Sequence, residues 1–101
     1  DKRYCEKVQD ERTKDICYAN VAIKLFKPEL CEAIKDDYMR DKCYIAFVIG
    51  DKKDFSVCDK IINEYVIKQC NILKQLSDTN ATQLAFYESL IKENLVQIMY
   101  S

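Results

Sequence analysis

The sequence predicts an all-α fold: three disulfide-closed αα-hairpin repeats, stacked as a short solenoid or compact bundle and capped by a long C-terminal helix. Three observations lead there. The six cysteines form three C-x11-C units, Cys5/Cys17, Cys31/Cys43 and Cys58/Cys70, whose starts lie 26 and 27 residues apart, a spacing that marks a repeat. One Gly and one Pro in 101 residues leave little chemistry for β-hairpin turns or bulges. Near the middle of each unit stands an Asp or Asn followed by an acid: Asp10-Glu11, Asp36-Asp37 and Asn63-Glu64. That pair starts a helix, because the first side chain accepts from an orphan N–H and the second sits at the positive end of the helix dipole.

Each unit is therefore read as a short helix, a turn at the Asp or Asn, and a longer second helix. The units span 1–27, 28–53 and 54–77 and belong to a single domain with a final helix over 80–100. The first helices start four residues before their cysteine, at Asp1, Lys27 and Asp54, and Pro28 suits a first helical position. The second helices should run over Glu11–Phe26, Asp37–Ile49 and Glu64–Leu76, with Gly50-Asp51-Lys52-Lys53 linking units two and three.

The turn lies about midway between the two cysteines, so at 1.5 Å per residue both sulfurs stand roughly 8–10 Å from it on antiparallel helices. They are then level, as a disulfide requires. The expected pairs are Cys5–Cys17, Cys31–Cys43 and Cys58–Cys70. The alternative is that each C-x11-C lies on one continuous helix, with bonds running between helices instead.

The last segment carries no cysteine. Asn80-Ala81-Thr82-Gln83 reads as a capping box, with Gln83 reaching back to the cap. Leu84, Tyr87, Ile91, Leu95 and Ile98 form the expected core stripe of the helix that follows. Phe86, Leu90, Val96 and Met99 lie off that stripe. Either they pack within the chain, the favoured reading, or they meet a partner. Asn80-Ala81-Thr82 is also an N-glycosylation sequon, which makes Asn80 a candidate glycan site.

Composition narrows the chemistry. Histidine is absent, which removes the commonest acid–base catalyst and metal ligand and excludes Ser-His-Asp and Cys-His-Asn arrangements. No C-x-x-C redox motif occurs, and three equal C-x11-C pairs divide poorly into four-ligand zinc sites. The acids Asp36, Asp37, Asp51, Asp54, Glu64 and Glu88 are assigned to capping and solvation, not to a glycosidase pair. Arg12, Lys14, Arg40 and Lys42, with Asp15 and Asp41, read as solvated charged faces of the second helices. Of the seven tyrosines, Tyr4, Tyr18, Tyr38, Tyr44 and Tyr65 lie in the repeats, where covering a disulfide is favoured over partner binding. No catalytic, cofactor-binding or metal-ligating residue is assigned.

A net charge of −1 gives no basic surface for nucleic acid. No apolar run approaches the roughly 18 residues of a membrane span. Matched cysteines point outside the cytosol, to an extracellular or cell-surface place, with the cytosol of a thermophile as the alternative. A start at Asp1 without Met reads as a processed fragment. Because Asp1 aligns with Asp54, upstream repeats in a longer parent fit the pattern.

The unit from Cys31 through Ile34, Asp36, Arg40, Asp41 and Cys43 to Tyr44 resembles a tandem pattern of uncharacterised archaeal proteins, C-x2-I-x-D-x3-R-D-x-C-Y. The first unit matches through Cys5, Val8, Asp10, Lys14, Asp15, Cys17 and Tyr18, with Lys for Arg. The third keeps Cys58, Ile61, Asn63 and Cys70 but has Ile67, Lys68 and Asn71 where the pattern has Arg, Asp and Tyr. The resemblance covers about three quarters of the chain. It implies disulfide-stabilised hairpins in secreted or anchored proteins of thermophiles, and no activity. A weaker similarity, to twin C-x9-C hairpins of the mitochondrial intermembrane space, suffers from the longer spacing and the third pair. The expected role is a non-catalytic, disulfide-stabilised module for protein–protein interaction or extracellular structure, binding a protein partner or itself. The alternative is a small intracellular regulator or inhibitor, viral or plasmid-borne, of a hyperthermophile.

Overall fold

The computed structural model describes the backbone of residues 2–49 and 52–100, and the side-chain surroundings of residues 3–49 and 52–93. Asp1, Gly50 and Asp51, with the expectations placed on them, lie outside the described residues, as do the side chains of Leu95, Val96, Ile98 and Met99. Among the described residues all regular structure is helical, without strands. Five α-helices appear: α1 (Lys2–Glu6), α2 (Glu11–Leu25), α3 (Asp37–Ile45), α4 (Glu64–Thr79) and α5 (Ala81–Tyr100). Tight 3₁₀ segments run over Pro28–Ala33, Ala46–Val48 and Phe55–Lys60.

The three bonds join Cys5 to Cys17, Cys31 to Cys43 and Cys58 to Cys70, with Cα atoms 5.6, 5.8 and 5.7 Å apart. Each closes its own hairpin across the turn, as the spacing predicts. The hairpins are also alike in detail. The N–H of Val8, Ile34 and Ile61 donates to the carbonyl of the cysteine three residues earlier, which ends each first helix. The three N-caps then adopt nearly one conformation, Asp10 at φ −72°, ψ 122°, Asp36 at −72°, 120° and Asn63 at −70°, 125°. Their side chains accept from the N–H of Thr13 (2.9 Å), Met39 (2.8 Å), and both Tyr65 (2.9 Å) and Val66 (3.1 Å). Each cap satisfies a donor that would otherwise be left without a partner.

Five expected elements differ from the observed ones, among them α4, which runs past Leu76 to Thr79. The first helices of hairpins two and three are 3₁₀, not α. Six residues between an extended entry and a turn leave room for short i to i+3 bonds and little more. Helix α2 stops at Leu25, and Phe26 takes the left-handed conformation (φ 52°), its N–H turned back onto helix carbonyls. Helix α3 stops at Ile45, and its last turn tightens over Ala46–Val48. This buries Phe47 and Val48 and leaves the Phe47 carbonyl to accept from the Asp54 N–H at 2.8 Å, which ties the third hairpin to the second.

One apolar core runs through the stack, from Cys5, Tyr18 and Ala22 through Ile34, Tyr44, Ile45 and Phe47 to Val57, Val66 and Leu73. Helix α5 closes it with Ile91, and Leu84 packs at its edge. The inward line of α5 is Leu84, Glu88 and Ile91. Tyr87 lies at the surface, and Glu88 forms an ion pair with Lys53 at the start of the third hairpin. Helices α4 and α5 meet at a single residue. The Asn80 N–H donates to the Leu76 carbonyl (2.8 Å) while its Oδ1 accepts from the Gln83 N–H (3.2 Å). The N–H that a reciprocal capping box needs is thus already engaged by α4, so Asn80 serves as an N-cap without the return bond from Gln83.

Candidate interaction surface

The charged second-helix faces divide into two kinds of group, and this corrects their reading as uniformly solvated. Asp15 and Asp41 are 3% and 1% exposed. Each sits two residues before its hairpin's second cysteine and turns toward the next hairpin. Asp15 accepts from the N–H groups of Lys35 (3.0 Å) and Asp36 (3.2 Å). Asp41 accepts from Ile62 (3.1 Å) and Asn63 (3.0 Å). In both cases one carboxylate grips two consecutive amides of the following hairpin, that of the N-cap and that of the residue before it. A buried carboxylate needs such donors, and hydrogen bonds to a charged acceptor are stronger than neutral ones.

Arg40, beside Asp41, works within its own hairpin. Its Nη1 donates to the Ile34 carbonyl (3.1 Å) and its Nη2 to Asp37 Oδ1 (2.6 Å). The turn of the second hairpin is thereby held from both sides: Arg40 takes the carbonyl ahead of it, and Asp15 takes its amides. Lys42 is also buried, and its Nζ lies 5.3 Å from the centre of the Tyr38 ring. Burial lowers its pKa, and the Asp41 charge opposes that shift. Tyr44 is shifted up, first by burial and then by the Glu32 carboxylate.

The tyrosines split in the same way. Tyr18 and Tyr44, each following a second cysteine, are core residues, whereas Tyr4, Tyr38 and Tyr65 are exposed. Core packing, favoured for all five, therefore holds only for the pair next to the disulfides.

All six cysteines are bonded. Among the described residues, no group of three or more Cys, Asp or Glu side chains could hold a metal ion. No helix there is long and apolar enough to cross a membrane. One exposed apolar group lies on α5. Phe86 is 64% exposed and Leu90 47% exposed, and the Phe86 ring meets the Tyr87 ring edge-on with centroids 6.2 Å apart. Phe86 and Leu90 thus do not find cover within the chain, contrary to the favoured reading. Asn80 is exposed. No protein-family model, curated protein or solved structure matches this chain.

The inter-hairpin aspartates are the functional residues that sequence reasoning missed. Their signal was visible at the third unit, which has Lys68 where the first two have Asp15 and Asp41. A carboxylate present wherever a hairpin follows, and absent where none does, marks a junction and not a solvated face.

Proposed function

We propose that the chain is a non-catalytic, disulfide-stabilised helical repeat module that binds another protein or itself through the outer face of α5. The carrying observation is the exposed apolar group Phe86, Tyr87 and Leu90 on a helix whose opposite side closes the stack. Aromatic and aliphatic side chains grouped on one face are the composition of an interface centre. The three disulfides are compatible with an oxidising, extracellular setting. The resemblance to tandem archaeal repeat proteins would place such a module in a secreted or membrane-anchored protein of a thermophile, without adding an activity.

The test replaces Phe86 and Leu90 together by Ser. Sedimentation of the parent should reveal self-association, or affinity capture a defined partner, and either should be lost in the double variant. Unchanged far-ultraviolet circular dichroism would show that the fold survives. A variant that associates as the parent does would remove α5 as the interface.

A further inference from the structure

Each internal junction joins a giving hairpin, which supplies a buried aspartate, to a receiving hairpin. The receiving side consists of two amides, those of the N-cap and of the residue before it, and an apolar residue just before the first cysteine. The first hairpin carries the same receiving parts. Gln9 and Asp10 hold the N–H groups equivalent to Lys35 and Asp36, and to Ile62 and Asn63. Among the described residues, nothing accepts from either amide. Tyr4 occupies the place of Leu30 and Val57. Val57 is 1% exposed under its neighbour, whereas Tyr4 is 76% exposed. Lys7 stands where Lys60 reaches back to Glu32 of the preceding hairpin, at 3.6 Å. The match is confined to the turn and first helix, since Thr13 is polar and bonds Asp10, where Met39 and Val66 are buried.

We propose that this outer face is the receiving half of a repeat junction. Its occupant is one more hairpin of this repeat type, stacked in line and presenting an aspartate two residues before its second cysteine. That aspartate would grip the Gln9 and Asp10 amides as Asp15 and Asp41 grip theirs, and the acid after its first cysteine would face Lys7. A second copy of this chain, placed end to end, lacks the needed group. Its Asp15 and Asp41 are already engaged, and its third hairpin has Lys68 at that position.

The experiment extends the intact chain at its N-terminus with a duplicate of residues 1–26, or in a second version of residues 27–53. Both keep the repeat period and carry a free aspartate at the giving position. Hydrogen exchange followed by NMR then reads the Gln9 and Asp10 amides of the original first hairpin. Exchange should slow by roughly 10- to 100-fold, the change that a hydrogen bond to a charged acceptor produces. Changing the added aspartate to Asn, by Asp15→Asn or Asp41→Asn in the duplicate, should reverse most of it while the added disulfide still forms. Unchanged exchange in both extended chains, slowing that survives the Asn change, or an added hairpin that stays unfolded in both versions would overturn the proposal. So would concentration-dependent slowing in the unextended chain, which would show that a second copy is the occupant.

Discussion

The second and third hairpins share a disulfide, a capped second helix and the residues that build a core, yet their turns are held differently. The second is gripped by Asp15 from before and by Arg40 from within. Among the described residues the third turn is gripped by Asp41 alone, and Ile67 and Lys68 replace the basic residue and the aspartate of the earlier units. Residues that make a hairpin recur in all three units. The aspartate that joins one hairpin to the next recurs only where a next hairpin exists. A repeat is therefore two overlapping codes, one for the unit and one for the junction, as expected where stability is a sum of unit and neighbour terms.

Breaking the junction code should have the largest effect. Asp41→Ala removes an acceptor from two amides, and we expect a loss of about 3–5 kcal/mol in denaturant unfolding, from two hydrogen bonds to a charged group. A loss no greater than that of an exposed substitution would show that the carboxylate does not clamp the third hairpin. Breaking the unit code comes next. Replacing both Cys31 and Cys43 by Ser should cost about 3 kcal/mol, because a loop of this length loses its closure constraint in the unfolded chain.

A smaller effect belongs to the first cap, and pH sharpens it. The Thr13 hydroxyl, and after it the Thr13 N–H, hold Asp10 below the ordinary carboxylate range. A carboxylate whose folded pKa is depressed contributes fully above its unfolded value, and that contribution fades as pH falls through the folded one. Asp10→Ala should therefore lower Tm at neutral pH, with the gap to the parent closing in acid. A gap constant with pH would mean that the cap does not act through its charge. The smallest effect is the most pointed. Lys68→Asp restores the junction aspartate where no hairpin follows, and stability should move by no more than about 0.5 kcal/mol. A large gain would mean that the residue acts inside its own hairpin.

Much of this was legible in the residues. The C-x11-C spacing and the mid-unit Asp10, Asp36 and Asn63 led to the bonds and caps, because both depend on positions a few residues apart. The fates of Asp15 and Asp41 were not legible from one unit. An exposed i, i+3 partner and a buried inter-hairpin clamp look identical on a single helix. The same holds for Tyr18 against Tyr38, and for Glu88 against Tyr87 on α5, since which side of a helix faces inward depends on what packs beside it.

Local order alone determined the hairpins, their sulfur pairs and the capped turn inside each hairpin, since those interactions act within about a dozen residues. Only the packed stack decided which charges are covered, that the junction is a carboxylate on two amides, and that Phe86 and Leu90 remain in water. The physical reason is burial. Spacing sets which residues share a face, but whether that face is dry depends on neighbours distant in the chain, and a carboxylate seeks backbone donors only once water has been removed from it.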